Sequence, residues 1–406
     1  RGALTSDTLG SKTVAIGHNA LNNQNFTTAT DTYNVAIGYN AGVAVTTGTE
    51  NTLLGGLAGT ALTTGIRSVL LGYQAGDALT EGQENIAVGK SALSADTLGS
   101  RATAIGKSAL SSQNFTTATQ NYNVAVGYEA GKQVTTGQFN VLVGGLAGDA
   151  ITTGGSNIAV GTGSLSADTL GSNSVSIGTN ALTAQNFTTA TDVYNVAVGT
   201  NAGLSVSTGT QNTLIGGLAG DALTTGADNT ALGYNSLGAG VASFYNTAIG
   251  KDALESDTTG RHSVAVGRHA LQTQNNTTST DMYNVAVGSE AGASVTTGIE
   301  NTLLGGKAGD ALTDADRNVA IGYSALTTNT VGSESVAIGA FALNSQNPAT
   351  ATSMYNVAVG HNAGSAVTTG ENNTIIGGLA GDALTTGAQN VVVGQGALSG
   401  DTKGNH

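Results

Sequence analysis

One phrase recurs along the entire chain: Asn34-Val-Ala-Ile-Gly38 returns as Asn195-Val-Ala-Val-Gly199, and 22 copies occur in all. The closing glycines run from Gly17 to Gly394 and stand 17 residues apart sixteen times and 21 residues apart five times. No stretch between them falls outside the array, so residues 1–406 read as a single continuous array without a linker. A 17-residue unit is too short for a helical hairpin but fits one turn of a β-solenoid. Val-Ala-Ile is β-branched at its outer positions and stopped by Gly, which marks a strand. A second, weaker strand is expected at Val45-Thr46-Thr47 and Leu223-Thr224-Thr225. Gly every few residues would cost a helix about 1 kcal/mol each time, so no helix is expected. The predicted fold class is all-β: a parallel β-solenoid (β-roll) of about 22 coils with 17- or 21-residue turns. At about 4.8 Å per stacked strand, such an array would be roughly 100 Å long.

Composition narrows the chemistry. Of 406 residues 61 are Gly, one is Pro and none is Cys or Trp, while charged residues make up 10%. Absent Cys excludes disulfide scaffolds, thiolate metal sites and cysteine catalysis. A net charge of −13 disfavours nucleic acid and anionic membranes as partners, and no apolar run reaches the length of a membrane helix. The five His are scattered, and no Ser-His-Asp set can be assembled from position. The expectation is no enzyme, no cofactor and no metal site. The recurrent acid in Gly-Asp-Ala-Leu or its Ile variant (Asp149, Asp221, Asp310, Asp382) supplies one carboxylate per turn. Repeat Ca²⁺ sites need a denser ligand set, so a solvated turn is expected there.

Stacking such units predicts three ladders. Asn precedes the strand in 16 copies and Ser in four more; stacked Asn side chains can bond to the backbone of the neighbouring coil. The repeated Gly reads as a positive-φ or close-approach position. In the third ladder, strand neighbours point to opposite faces, and both faces are apolar. The middle position (Ala36, Leu53, Ala125, Leu142, Ala197, Leu214, Ala286, Leu303, Ala358, Ile375) is read as the stripe facing a molecular axis. A continuous apolar outer stripe calls for a partner, most simply a parallel homotrimer.

The 21-residue copies carry four extra residues in loops that begin Gln24-Asn25-Phe26, Gln113-Asn114-Phe115, Gln185-Asn186-Phe187, Gln274-Asn275-Asn276 and Gln346-Asn347-Pro348. Each closes with a Tyr: Tyr33, Tyr122, Tyr194, Tyr283 and Tyr355. The copy before an insertion carries Leu-x-x-Asp or Leu-x-x-Asn, as in Leu93/Asp96, Leu165/Asp168, Leu254/Asp257 and Leu326/Asn329. Two copies after it comes a Gly-Gly pair (Gly55-Gly56, Gly144-Gly145) with a large middle residue, which suggests volume compensation. The loops are the candidate contact sites for a cell-surface glycan or receptor; the alternative is a lip packed over the neighbouring coil. Four contain Asn-x-Thr, at Asn25, Asn114, Asn186 and Asn275, which matters where such sequons are glycosylated. The ends align within the repeat, so the chain is expected to be a segment of a longer array.

The phrase Asn/Ser-Val-Ala-Ile-Gly, as at Ser263 to Gly267 and Ser335 to Gly339, resembles the head repeat of YadA-like trimeric autotransporter adhesins. Asn34 to Gly42, which runs Asn-Val-Ala-Ile-Gly-Tyr-Asn-Ala-Gly, more closely resembles repeat regions of phage tail-fibre proteins. The resemblance spans essentially the whole chain. It implies a trimeric parallel β-roll in an extracellular fibre that adheres to or contacts a host. The expected function is the shaft of such a fibre, a virion tail fibre serving host attachment as a rigid spacer. A bacterial surface adhesin or self-assembling matrix filament is the alternative. The Thr-Thr-Gly stripe also raises an ice-binding solenoid, but its paired Thr are adjacent and point to opposite faces.

Overall fold

The computed structural model describes residues 2–276 and 278–404. The chain divides into two compact units, Arg1–Asn201 and Ala202–His406. Each is a stack of short coils, and among the described residues neither contains a helix. Each unit holds eleven three-residue strands, one per coil. They run from Val14–Ile16 to Val196–Val198 in the first unit and from Thr213–Ile215 to Val391–Val393 in the second. Strands of successive coils pair in parallel with no slip. Ala36 lies opposite Ala15 and Leu53, and Leu303 lies opposite Ala286 and Ala320. The chain is therefore the parallel β-solenoid expected from its period.

The second strand of each coil differs from expectation. Val45–Thr47 and Leu223–Thr225 form bends, not strands. The N–H groups of Thr46 and Gly48 converge on one acceptor, the carbonyl of Thr63, at 3.0 and 3.2 Å. A parallel ladder needs evenly spaced acceptors, so convergence ends it. Among the described residues a true second strand appears only at the insertions, where two-residue strands form. Gly10–Ser11 pairs with Thr30–Asp31, Gly99–Ser100 with Thr119–Gln120, and Gly260–Arg261 with Thr280–Asp281. The insertion thus lies back along the preceding coil.

Left-handed corners turn the chain. In the Gly144 coil, Phe139, Leu146 and Gly148 have φ of 61, 58 and 55°. A non-Gly residue in this region costs roughly 1–2 kcal/mol, yet the equivalent corners elsewhere hold Tyr122, Ser156 and Asn173. Stacking supplies the compensation: the N–H of Phe139 reaches the Asn121 carbonyl and that of Ser156 the Gln138 carbonyl, both at 2.9 Å. The repeat Gly has a stricter reason. A Cβ on Gly144, at φ 137°, would sit 2.6 Å from the Gly161 backbone.

The face assignment of the strand is corrected. The middle residues Ala36, Leu53, Ala125, Leu142, Ala197, Leu214, Ala286, Leu303, Ala358 and Ile375 are at most 1% exposed within their own chain. They point into the coil and cannot face a molecular axis. The flanking positions, such as Val35 and Ile37 or Val124 and Val126, point outward and are half-exposed. Alternation fixes that the two faces differ; the narrow coil decides which is inside, because its interior takes Ala beside a buried Asn.

The interior is filled by exchange between two positions. Where the fourth residue after the repeat Gly is Leu, the seventh is polar in every coil but one: Leu93 with Asp96, Leu110 with Gln113, Leu165 with Asp168, the exception being Leu237 with Gly240. Where the fourth is Gly, the seventh is apolar, as in Gly131 with Val134 and Gly148 with Ile151. That Gly also makes room for the large middle residue. A Cβ on Gly131 or Gly148 would lie 2.6 or 2.7 Å from a Cδ of Leu142. The second Gly of the Gly-Gly pair does not compensate for volume in the core: nothing lies within 4 Å of a Cβ on Gly145, and Gly56 adjoins the Tyr73 ring.

Adjacent glycines therefore differ sharply in tolerance. Gly144→Ala is expected to cost about 2–4 kcal/mol through backbone overlap, and Gly145→Ala to stay within about 0.5 kcal/mol of the parent. Urea unfolding of both variants, followed by circular dichroism, checks this.

Candidate functional site

Three layers of side chains, from the interior outward, decide what this array can present. Innermost is the Asn column. Asn140 Oδ1 accepts the N–H of Asn157 at 3.0 Å, and its Nδ2 donates to the Gly154 carbonyl at 3.0 Å. Asn157 repeats this toward Ser174 and Gly171, and in the second unit Asn301 does so toward Asn318 and Ala315. These side chains are fully buried. Each carries one coil's polar group into the next, as the sequence suggests, and none is free for a ligand.

At each insertion coil the column residue is replaced by Thr13, Ala102, Ser174, Ser263 or Ser335, and a buried Gln takes its place. Gln113 Nε2 donates to Asp96 Oδ2 at 2.6 Å, and Gln113 Oε1 accepts Asn123 Nδ2 at 2.9 Å. Asp96 Oδ1 also accepts the N–H of Gly99 and of Phe115, at 3.0 and 3.1 Å. Asp168 with Gln185 is built alike. Burial pushes the Asp96 carboxyl up, opposed by these donors. The Leu-x-x-Asp signature before each insertion is therefore the anchor of the insertion itself. Where the column residue is Ala102, Asn121 supplies the missing acceptor, receiving the N–H of Asn123 at 3.0 Å.

The candidate contact loops split into two groups. Phe26, Phe115 and Phe187 are buried beneath the lip, at 4–7% exposure, and are not available to a partner. Asn25, Asn186, Asn275 and Asn347 are exposed and Asn114 is half-exposed. Their Oδ1 atoms accept a Thr hydroxyl of the preceding coil, as from Thr97 to Asn114 at 3.0 Å and Thr330 to Asn347 at 2.8 Å. Tyr33, Tyr122, Tyr194, Tyr283 and Tyr355 are about half-exposed, and the preceding coil holds four of them. Lys12 Nζ reaches Tyr33 Oη at 2.9 Å and Asp31 at 2.7 Å. Arg101 bonds Tyr122 and Gln120, and Tyr122 stacks on Phe139 at 5.9 Å. Tyr283 stacks on His262 at 5.2 Å, and Tyr355 bonds Glu334, holding that carboxyl below its usual range. Sugar stacking needs an open ring face; several of these faces are covered by neighbours. A cavity of about 190 Å³ between Arg101, Gln83 and the Thr119–Gln120 strand is correspondingly polar.

The outermost layer is the sheet's outward face. Its two columns hold only Val, Ile, Leu and Thr in all 22 strands. Half-exposed Tyr39, Tyr73 and Tyr128 follow the repeat Gly beside it. The ions lie elsewhere, chiefly on corner ladders such as Glu50–Arg67–Glu84–Arg101, with contacts of 3.1, 3.7 and 2.9 Å. These pairs are exposed, so solvent screens them and they contribute little to stability. The sequence patterning did not reveal them, although like positions of opposite charge 17 residues apart carry the signal.

Asp149 and Asp382 are half-buried and each leaves one Oδ1 without a hydrogen-bond partner, while the Thr327 hydroxyl meets Asp310. The solvated turn expected there is only partly so, and burial pushes the Asp149 and Asp221 carboxyls up. Among the described residues no group of three or more His, Asp or Glu is placed to hold a metal ion. The first Thr of several pairs commits its hydroxyl to the next coil, Thr63 to the Thr80 carbonyl at 3.1 Å and Thr152 to that of Thr169 at 3.0 Å. No protein-family profile matches the chain, and no characterised protein is significantly similar to it in sequence.

Gln113→Ala is expected to destabilise the fold by about 2–4 kcal/mol, since it strands a buried carboxylate and a buried amide. Tyr122→Phe, which removes one exposed hydroxyl, is expected to cost under about 1 kcal/mol. Thermal unfolding of the two variants separates an anchored lip from one held by its Tyr.

Proposed function

We propose that this chain is the shaft of an extracellular fibre, a virion tail fibre in which it serves host attachment as a rigid spacer, and that copies associate in parallel as a homotrimer. The observation that carries the reading is the uncharged outward face running through every coil. In each unit its half-exposed side chains offer on the order of 1,000 Å² of apolar surface, more than the roughly 800 Å² per partner of a stable interface. A flat row of β-branched residues at strand spacing fits best against a surface of the same spacing, and a second copy of the chain has it. Tyr39, Tyr73 and Tyr128 would form the amphipathic rim that protein interfaces favour.

The insertions support the spacer over direct recognition by the shaft. Their Phe side chains are buried, and four of their five Tyr rings are held by the preceding coil. An adhesive role for the loops would rest on the exposed Asn and Thr at their tips. The alternative reading, a bacterial adhesin or matrix filament, would use the same self-association and differ in what the loops touch.

Light scattering on the purified chain tests the reading. The expected mass is near three times the 39.8 kDa of one copy. The double change Val126→Asp and Val143→Asp should yield monomers with an unchanged β spectrum. A parent chain that is monomeric at micromolar concentration would overturn the proposed assembly.

A further inference from the structure

The five insertions share one anchor, and the fourth is built differently. In the second and third, the buried carboxylate accepts a Gln amide at 2.6 Å, a Gly N–H, and the N–H of Phe115 or Phe187. In the fourth, Asn276 stands where the Phe should be. Asp257 retains the Gly260 N–H at 2.9 Å, but its contact with Gln274 lengthens to 3.1 Å. The Asn276 carbonyl accepts the Thr258 hydroxyl at 3.1 Å, as the Phe115 and Phe187 carbonyls accept those of Thr97 and Thr169, and here also accepts the Thr259 hydroxyl at 2.7 Å. Asp257 is still fully enclosed. The fifth insertion has Asn329 at this place, bonded to both the N–H and the carbonyl of Gly332. A neutral side chain therefore serves the same fold.

The charged groups nearby make their contacts with other residues, although the Arg261 Nε is buried without a hydrogen-bond partner. On the Asp257 coil, Glu255 accepts from Asn235 and Gln272, and the Arg261 guanidinium lies over the Phe244 ring at 5.2 Å. On the next coil, Asp281 Oδ1 stands 3.7 Å from His262 Nε2. The Gly240–Ser243 turn of the preceding coil is uncharged. Nothing positive offsets the enclosure of a carboxylate that has lost a donor.

We propose that Asp257 and Gln274 form a pH-operated catch, which holds the Thr280–Asp281 strand firmly on Gly260–Arg261 in weakly acidic solution and loosens it toward neutrality. Burial raises the Asp257 carboxyl from 3.8 to about 6. A carboxyl raised on folding contributes stability that is complete below its unfolded value and is lost as the pH climbs through its folded value. The window is therefore about pH 4 to 6, with the loss complete by pH 7.5. A shift of about two units limits the change in local opening to roughly 100-fold. The rest of the array would keep its coils closed, so the loosening is local to one insertion.

Hydrogen exchange followed by mass spectrometry on the full chain, at pH 5 and pH 7.5 and corrected for intrinsic rates, tests the catch. The reporters are the N–H groups of Asn275 and Met282, bonded to the carbonyls of Thr296 and Arg261 at 2.9 Å each. Their protection is expected to fall about 10-fold at pH 7.5, the part of the shift that lies above pH 5, and that of Asn347 and Met354 in the fifth insertion to stay level. Asp257→Asn, which copies the Asn329 anchor, should abolish the difference, and Asn276→Phe should reduce it. An equal response in the fifth insertion, or an undiminished one in Asp257→Asn, would overturn the proposal. So would unchanged protection in the parent chain.

Discussion

Everything in this array depends on a buried Asn amide that spans two coils. A parallel stack of three-residue strands has little backbone pairing to rely on, because the chain must turn again almost at once. The bend before each strand leaves an N–H and a carbonyl inside the coil, where neither can reach water, and each would cost about 1–3 kcal/mol if unpaired. Asn140 answers both for the next coil, at Asn157 and Gly154. Its side chain fits only if the register between coils is unshifted, so one interaction fixes both stability and pitch.

The remaining interior adapts to that column. Ala beside Asn leaves a narrow space, and the chain fills it by exchanging bulk between the fourth and seventh positions after the repeat Gly. Where the column itself is interrupted, a Gln and a buried Asp reproduce its bonds, and the interruption is where four extra residues are laid along the preceding coil. The insertions are therefore modifications of the ladder, not loops added to its outside. This is why their Phe side chains lie within and four of their five Tyr rings are held by the coil before.

The period, the strand and the Asn ladder were legible in the sequence because each is a spacing, and spacing survives without knowledge of direction. The facing of the strand was not. Ala36 between Val35 and Ile37 allows either face to be interior, and the hydrophobic pattern alone favours the bulkier pair. The fully buried Asn34, two positions before Ala36, decides it, since residues two apart share a face. The Gly-Gly pair misled for a related reason. Gly145 stands only three residues from Leu142 in sequence, whereas the space Leu142 needs is opened by Gly131 and Gly148. The Leu-x-x-Asp signature was visible, but its purpose needed the distance from Asp96 to Gln113, 17 residues away.

The most direct measurement is the urea midpoint of Asn140→Ala against that of Val141→Ala. Asn140 is the buried bridge, and Val141 is its neighbour on the half-exposed outer face. Unlike Ala102, which Asn121 assists, an Ala at 140 has no second acceptor nearby in the sequence pattern. The expected result is a loss of about 2–4 kcal/mol for Asn140→Ala and under about 1.5 kcal/mol for Val141→Ala. A smaller loss at Asn140 than at Val141 would contradict the claim that the amide column holds the coils together.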